Sequence, residues 1–339
     1  MNQVKFLSAA ALSVLVAACG GGGGGGDVSV PVPAPVPAAA PGTLVTTVAA
    51  PSYAVASEEL SAFNTLNAER ERCGFGKLAQ NAQLDLAARD HSLWRLTNNV
   101  VGHVQDPVAQ PNGYTGRTPD ERAVFRGYAA AQVRETINVR LPVPKAGMGA
   151  VLTRGLLAAP YHALALLDGY RDVGTSVLSD VDAGSTAVTG QYVSVQFDVG
   201  YKNAVGAQLL AADAVATYPC EGSTGVNYAL FGESPNPVPG RDLSTSPVGH
   251  PVIIKVRDGN VLAVQSVQIV NAATGAAVPV RPVVNRASDT TGQIVTSSVA
   301  FVLPDVALAA ATSYRVTVSG TNSTVPFSKV FTFTTGAVL

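Results

Sequence analysis

Charged side chains are scarce in this sequence, in which Asp, Glu, Lys and Arg make up only 13% of 339 residues. The formal net charge is −1, which excludes a protein that binds nucleic acid mainly by neutralising phosphates. Hydrophobic residues reach 47%, so the chain can bury a sizeable core and is not disordered throughout. Its length allows two domains besides an export segment.

The sequence begins with an apolar run that is too short for a membrane span. The run covers the 13 residues 6–18, directly after the single positive charge of Lys5. A helix that spans a membrane needs about 20 residues. A removable signal peptide over residues 1–18 is therefore predicted, and a short uncleaved anchor is the alternative. Val16-Ala17-Ala18-Cys19 is typical of a lipobox, which predicts cleavage before Cys19 and lipid attachment to it.

This N-terminus also predicts where the protein acts. Several acyl chains on Cys19 would anchor the protein stably, because each buried CH₂ contributes about 0.8 kcal/mol. Gly20, rather than Asp, follows the cysteine, which favours the outer membrane over the inner one. Residues 20–26 are all glycine, and a proline-rich stretch follows, so residues 19–51 are predicted to be a lipidated linker. The sequence leaves open whether the protein faces the periplasm or the cell surface.

Cysteine is rare, and its small number restricts how it can be used. Lipid would occupy Cys19, which leaves Cys73 and Cys220 in an oxidising compartment. We expect these two to form a disulfide, and two separate buried thiols are the alternative. The bridge would close a span of 147 positions (220 − 73). Loop entropy assigns about 5 kcal/mol to such a closure.

Residues 52–225 combine helical and strand patterns, which predicts an α/β domain. Capping signals at Ser57 and at Thr118-Pro119 mark two helix starts. Helices are predicted over residues 58–73, 81–98, 119–127 and 148–159. Strands are predicted over residues 133–139, 172–178 and 191–199. The last two strands are expected to form an antiparallel pair.

Residues 236–339 have a different sequence pattern, in which short apolar segments alternate with turn signals. This pattern predicts an all-β sandwich. The predicted strands are residues 252–256, 261–270, 278–284, 294–303, 314–318 and 330–335. Ser313-Tyr314-Arg315-Val316 and Phe331-Thr332-Phe333-Thr334-Thr335 resemble the end of bacterial immunoglobulin-like domains. That resemblance concerns the fold and implies no particular function.

The first domain contains no His-Glu-x-x-His, Gly-x-Ser-x-Gly or Cys-x-x-Cys motif. It does contain an ordered series of short motifs between about residues 57 and 201. The series includes Leu66-Asn67-Ala68-Glu69-Arg70, His91-Ser92, Gly102-His103, Pro119-Asp120-Glu121-Arg122, Gly127-Tyr128, Glu135, Pro160-Tyr161-His162, Tyr170-Arg171-Asp172-Val173-Gly174 and Gln196-Phe197-Asp198. In this order the motifs resemble the bacterial branch of the CAP superfamily, which includes cysteine-rich secretory proteins, antigen 5 and pathogenesis-related proteins.

The resemblance implies a three-layer α/β/α sandwich, here followed by the immunoglobulin-like sandwich. It also implies a cleft lined by two histidines and two acids that can hold a divalent cation. Position by position, the histidines correspond to His103 and His162 and the first acid to Glu135. The second acid has no counterpart, because residues 156–160 are apolar. His91 resembles a family position that supports the fold. Arg122 and Tyr128 are expected to support the structure by packing, and bracing of the cleft from the third helix is the alternative.

Two interpretations of the cleft residues remain open. Two neutral imidazoles and one carboxylate suit zinc or another first-row metal, with a free position for water. Without metal, His103, Glu135 and His162 could hydrogen-bond across the cleft and hold three loops together. The remaining histidine, His250, is expected in a solvated loop.

The leading functional hypothesis is a non-enzymatic module. It would bind a small apolar or amphipathic, lipid-like ligand, or a surface protein, in the His- and Glu-lined cleft. One alternative is a metal-assisted hydrolase, peptidase-like, in which the same residues hold zinc and activate water. Another is an adhesion protein that acts mainly through the β-sandwich.

Overall fold

The computed structural model describes residues 42–140, 144–184, 192–292 and 294–337. The predicted signal peptide, Cys19 and the glycine run lie outside the described residues. Within the described ranges, no helix combines the length and the apolar character that a membrane crossing requires.

Five helices and eleven strands make up the described chain, which is therefore mixed α/β. The helices are α1 (Glu58–Arg72), α2 (Ala82–Asn98), α3 (Pro119–Phe125), α4 (Met148–Ala158) and α5 (Pro160–Leu166). The strands are β1 (Ala79–Gln80), β2 (Ala130–Arg140), β3 (Asp172–Ser179), β4 (Val193–Lys202), β5 (Val215–Tyr218), β6 (Ser223–Val226), β7 (Val252–Val256), β8 (Leu262–Asn271), β9 (Val299–Val302), β10 (Ser313–Asn322) and β11 (Val325–Thr335).

The predicted helix starts are confirmed by their caps. The Ser57 hydroxyl accepts a hydrogen bond from the backbone N–H of Leu60 and begins α1. The Thr118 hydroxyl does the same for Glu121, directly before Pro119 at the first position of α3. These caps satisfy backbone donors that the first helical turn leaves without partners.

The first half of the chain, from α1 to β4, contains one sheet with the strand order β1-β3-β4-β2. Strands β3 and β4 are antiparallel, as predicted, and nearly every residue in them is buried. This burial is accompanied by contacts of the sheet with two groups of helices. Helices α2 and α3 contact the sheet and each other, and α1, α4 and α5 form a second group against it. Strand β2 is left as an edge strand beside the helix ends.

The second half, from β5 to β11, contains two sheets that face each other across a hydrophobic core of their own. One has the order β6-β11-β10-β8 and the other β5-β7-β9. The three-stranded sheet is buried on both faces, which explains why β7 has the unbroken sequence Val-Ile-Ile-Lys-Val instead of an alternating one. Val252 and Ile254 face the core between the two sheets, and Ile253 faces the core of the first half. The core of the first half therefore extends onto the three-stranded sheet and joins the two halves.

The strand pairing differs from the sequence prediction in three places. β5 lies inside residues 52–225 and β6 begins there, but they pair with β7 and β11, so the sheets of the second half begin well before residue 236. The predicted strand over residues 278–284 forms only isolated bridges, at Val280 and Val284. The predicted strand over residues 294–303 shortens to β9. Short apolar segments do not reveal which neighbour they pair with, and this limits strand prediction.

The predicted disulfide is confirmed. Cys73 caps the C-terminus of α1, and Cys220 lies in the turn between β5 and β6, with 5.4 Å between their Cα atoms. The bridge ties the first helix of the first half to the sheets of the second half. It therefore fastens the two halves covalently where the shared core already joins them.

His250 is not in a solvated loop, as the sequence suggested, but is buried with 1% exposure. Its Nδ1–H donates to the carbonyl oxygen of Pro251 at 2.7 Å, and its ring lies 5.6 Å from that of Tyr218. Burial lowers the pKa of His250 to about 4, so the ring is neutral at neutral pH. The prediction was wrong because the segment before β7 packs between the two halves.

Candidate functional site

A cleft runs along β2, the exposed edge of the first-half sheet. His103 lies in the loop after α2, Glu135 is on β2 and His162 is in the first turn of α5. Proline at the first position of α5 starts this short helix directly after α4, which turns His162 toward β2. Three distant stretches of chain thus meet at one edge of the sheet.

The structure brings together the three side chains that the sequence singled out. His103 Nδ1–H donates to Glu135 Oε1 at 2.8 Å. The ring centroids of His103 and His162 are 6.4 Å apart, with an angle of 42° between the ring planes. The His103 side chain is 43% exposed and that of His162 is 15% exposed, while the Glu135 side chain is fully buried. Only the imidazoles are therefore open to a ligand.

A network of hydrogen bonds holds the Glu135 carboxylate in place. Arg122 Nη2 donates to its Oε2 at 2.6 Å, and Gln196 Nε2 donates to the same oxygen at 2.7 Å. Arg122 Nη1 also donates to the carbonyl oxygens of His103 and Arg117, both at 3.2 Å. Arg122, expected as a support of the fold, therefore fixes both the carboxylate and the loop that carries the first imidazole.

The electrostatics keep Glu135 ionised. Burial alone would raise the pKa of its carboxyl group, but the hydrogen bond from His103 and the Arg122 guanidinium hold it below the usual value. Burial lowers the pKa of His91 to about 4 despite the adjacent Glu135, so His91 is neutral at neutral pH. The permanent positive charge facing Glu135 is therefore that of Arg122.

A second buried acid lies beside Glu135. Asp198 on β4 is the register partner of Glu135, and its carboxyl Oδ1 accepts from Gln196 Nε2 at 3.1 Å. Burial and the neighbouring Glu135 charge raise the pKa of Asp198 well above its usual value. The pair thus favours one ionised and one protonated carboxyl group, as expected for two buried acids that lie close together.

His91 and Tyr128 support the cleft without lining it. His91 Nε2–H donates to the carbonyl oxygen of Gly102 at 3.1 Å, next to His103. Its Nδ1 accepts from Gln105 Nε2 at 3.1 Å. The Tyr128 hydroxyl donates to Asp172 at 2.8 Å and joins the start of β2 to β3. The sequence predicted supporting roles for both residues, and these contacts are compatible with them.

The structure places one further acid at the cleft that the sequence did not identify. Glu233 belongs to the segment that connects β6 to β7, and its Oε1 accepts from both the backbone N–H and the Nδ1–H of His162, each at 2.8 Å. Its side chain is fully buried. Glu233 lies 71 positions after His162, outside the segment of the CAP resemblance, so no local spacing connects the two.

The imidazole pair lies between two hollows. The smaller, of about 440 Å³, lies between α5 and the three-stranded sheet and is bordered by Thr136, Tyr161 and Ile253. The larger, of about 840 Å³, lies between β2, α4 and the connecting segment, and Glu233 and Arg95 border it. His103 and His162 border both hollows. Ligands in either hollow would therefore meet the same two rings.

The expected zinc ligands do not fit this arrangement. Both carboxylate oxygens of Glu135 already accept hydrogen bonds, and the group is buried beneath the rings. Without Glu135, His103 and His162 leave two protein ligands, one fewer than a catalytic zinc site uses. Across the described residues, no group of three or more His, Cys, Asp or Glu side chains is arranged to hold a metal ion.

Comparison with known proteins gives little similarity. No protein-family model matches the chain, and no curated protein matches it. Among solved structures, the chain is similar to an extracellular protein from Bacillus anthracis str. Ames that contains an SCP domain, with 19% identity and a TM-score of 0.29. The match covers 41% of this chain and 39% of that one, so it spans less than half of either protein.

Proposed function

We propose that this chain is an exported, lipid-anchored module of the CAP type whose cleft binds an amphipathic ligand and does not catalyse a reaction. Cys19 would carry the lipid, and the linker would hold the folded part away from the membrane. The immunoglobulin-like half would complete the cleft as well as space it. The observation that carries the proposal is the larger hollow, which opens directly beside the imidazole pair.

The walls of this hollow suit an apolar chain. Ile137 and Val139 of β2 form one side, and Val151, Leu152 and Leu156 of α4 form the other. At about 840 Å³ the hollow falls within the range of small-molecule sites, which are mainly apolar with a few placed polar groups. The polar groups of the lining include the two imidazoles, Arg95 and Glu233.

The mouth of the hollow is also apolar. Phe231 is 46% exposed and Val139 is 37% exposed, and both line the hollow. Val101, in the loop before His103, is exposed beside them. Covering these groups with a ligand would contribute about 25 cal/mol for each Å² of apolar surface removed from water. An apolar ligand entering here would therefore bury exposed as well as internal surface.

Saturable binding of a neutral apolar probe tests the proposal. N-phenyl-1-naphthylamine, which brightens in apolar surroundings, is expected to bind the wild-type protein at one site. Val139→Asp and Phe231→Asp should each weaken this binding by about tenfold, because an ionised carboxylate at the mouth would have to be desolvated. Fluorescence titration measures the effect.

Val325→Asp provides a matched control. Val325 is 63% exposed at the start of β11 and does not border the hollow, so the same substitution should leave probe binding unchanged. Thermal unfolding of all three variants checks that each remains folded. Absence of saturable binding to the wild type, or equal losses in all three variants, would contradict the proposal.

A further inference from the structure

We infer that the cleft selects an amphipathic ligand whose head group is a neutral polyol, with hydroxyls that both donate and accept hydrogen bonds. This inference rests on the proposed function and specifies the ligand class of the same site. It follows from three hydrogen-bond acceptors and the guanidinium of Arg95, all on residues that line the larger hollow.

The first acceptor is the Nε2 atom of His103. Glu135 is ionised and can only accept, so the Nδ1 atom of His103 must carry the proton that it donates at 2.8 Å. When the ring carries only this one proton, Nε2 has a lone pair. Nε2 has no hydrogen-bond partner among the residues that the structure describes, and the ring borders both hollows.

The second acceptor arises in the same way at His162. Glu233 Oε1 accepts from the backbone N–H and from Nδ1–H of His162, which fixes the proton on Nδ1. The Nε2 atom of this ring also lacks a partner in the described part of the chain. Carboxylates therefore set both rings in the same tautomer, and each presents an acceptor to the cleft.

The third acceptor is the other oxygen of Glu233. Its Oε2 is buried and has no hydrogen-bond partner among the described residues, although Oε1 has two. A buried polar atom without a partner costs about 1–3 kcal/mol, which a hydroxyl donor from a ligand would recover. Glu233 borders the larger hollow, where such a donor would enter.

Two arginines, Arg95 and Arg140, line the same hollow and prevent a simple preference for cations. Arg140 already has an interaction partner. Arg95 borders the hollow, and the only hydrogen bond of its guanidinium among the described residues runs from Nη1 to Ser194 Oγ at 3.3 Å. Its buried Nε atom has no partner there. An ammonium head group would attract Glu233 but would be repelled by Arg95. A carboxylate head group would attract Arg95 but would be repelled by Glu233. Hydroxyls satisfy both groups without like-charge repulsion.

Three probes with the same ten-carbon chain test the inference on the full-length protein carrying Cys19→Ala, which cannot be acylated. The probes are 1-O-decylglycerol, decanoate and decylamine, each titrated calorimetrically below its micellar concentration. Decylglycerol is expected to bind at least about tenfold more tightly than either ionic probe. An ionic probe that binds as tightly as decylglycerol would overturn the inference and leave the proposed function standing. If none of the three binds, the proposed function fails and the inference fails with it.

A variant of Glu233 tests the origin of the selectivity. In Glu233→Gln the amide oxygen can still accept from His162, and the amide NH₂ then replaces the acceptor Oε2 with a donor. Decylglycerol affinity should fall by about tenfold and decanoate affinity should rise. Glu71→Gln, at an exposed residue paired with Lys77 away from the hollow, should change neither. Unchanged selectivity in Glu233→Gln would overturn the assignment.

Discussion

Arg122→Met is expected to lower the free energy of unfolding by about 3–5 kcal/mol, because it leaves a buried charge without its partner. Both side chains of the Arg122–Glu135 pair are fully buried and their N–O distance is 2.6 Å. The substitution would also remove donors from the carbonyl oxygens of His103 and Arg117, which lie in the loops around the cleft. Urea denaturation monitored by circular dichroism measures the change.

Arg281→Met is the control for this prediction. Arg281 pairs with Asp305 at 2.8 Å, but these side chains are 36% and 46% exposed. Pairs of this kind contribute about 0–1 kcal/mol, so the control should stay close to wild type. Similar losses of unfolding free energy in both variants would contradict the prediction, because the buried Arg122–Glu135 pair would then contribute no more than an exposed pair.

Removal of the disulfide is expected to have an effect of similar size. The Cys73–Cys220 bridge spans 147 positions, and the entropy of the unfolded chain that it restricts corresponds to about 5 kcal/mol. Cys73→Ala combined with Cys220→Ala should lower the free energy of unfolding by about that amount. Urea denaturation with and without a reductant measures it.

The reductant provides an internal control for the disulfide. Reduction should destabilise the wild type and leave the double variant unchanged, because the variant has no bridge to break. A wild type that unfolds at the same urea concentration with and without reductant would contradict the prediction.

Local signals in the sequence were sufficient for much of the first half. The oxygen of Ser57 and the pair Thr118-Pro119 fixed two helix starts, because capping depends on residues within one turn. Helix α5 was not predicted, because its seven residues are too few to show a helical repeat of apolar positions. The β3–β4 pair was predictable because its strands are neighbours in sequence.

Long-range pairing set the limit in the second half. Strand β7 contributes to two cores, and a run of buried residues does not reveal which surfaces cover its two faces. Strands β5 and β6 are only four residues each, and their partners lie far along the chain. Such short segments carry no pattern of their own that would assign them to one half.

The candidate site shows the same division between local and distant information. His103, Glu135 and His162 could be selected because ordered motifs surround each of them. Glu233 could not, because its link to His162 depends on how the connecting segment folds back over α5. Nor could sequence indicate that Glu135 is enclosed by Arg122 and Gln196, which removes it from the set of available metal ligands.

The central claim is that carboxylates from two different parts of the chain hold both cleft imidazoles in the Nδ1–H tautomer. Long-range ¹H–¹⁵N correlation spectra of the ¹⁵N-histidine-labelled protein test it most directly. At a pH where both rings are neutral, His103 and His162 should each carry the proton on Nδ1. In Glu233→Ala, only His162 should lose its preference for the Nδ1–H tautomer. Finding His162 with its proton on Nε2 in the wild type would contradict the account.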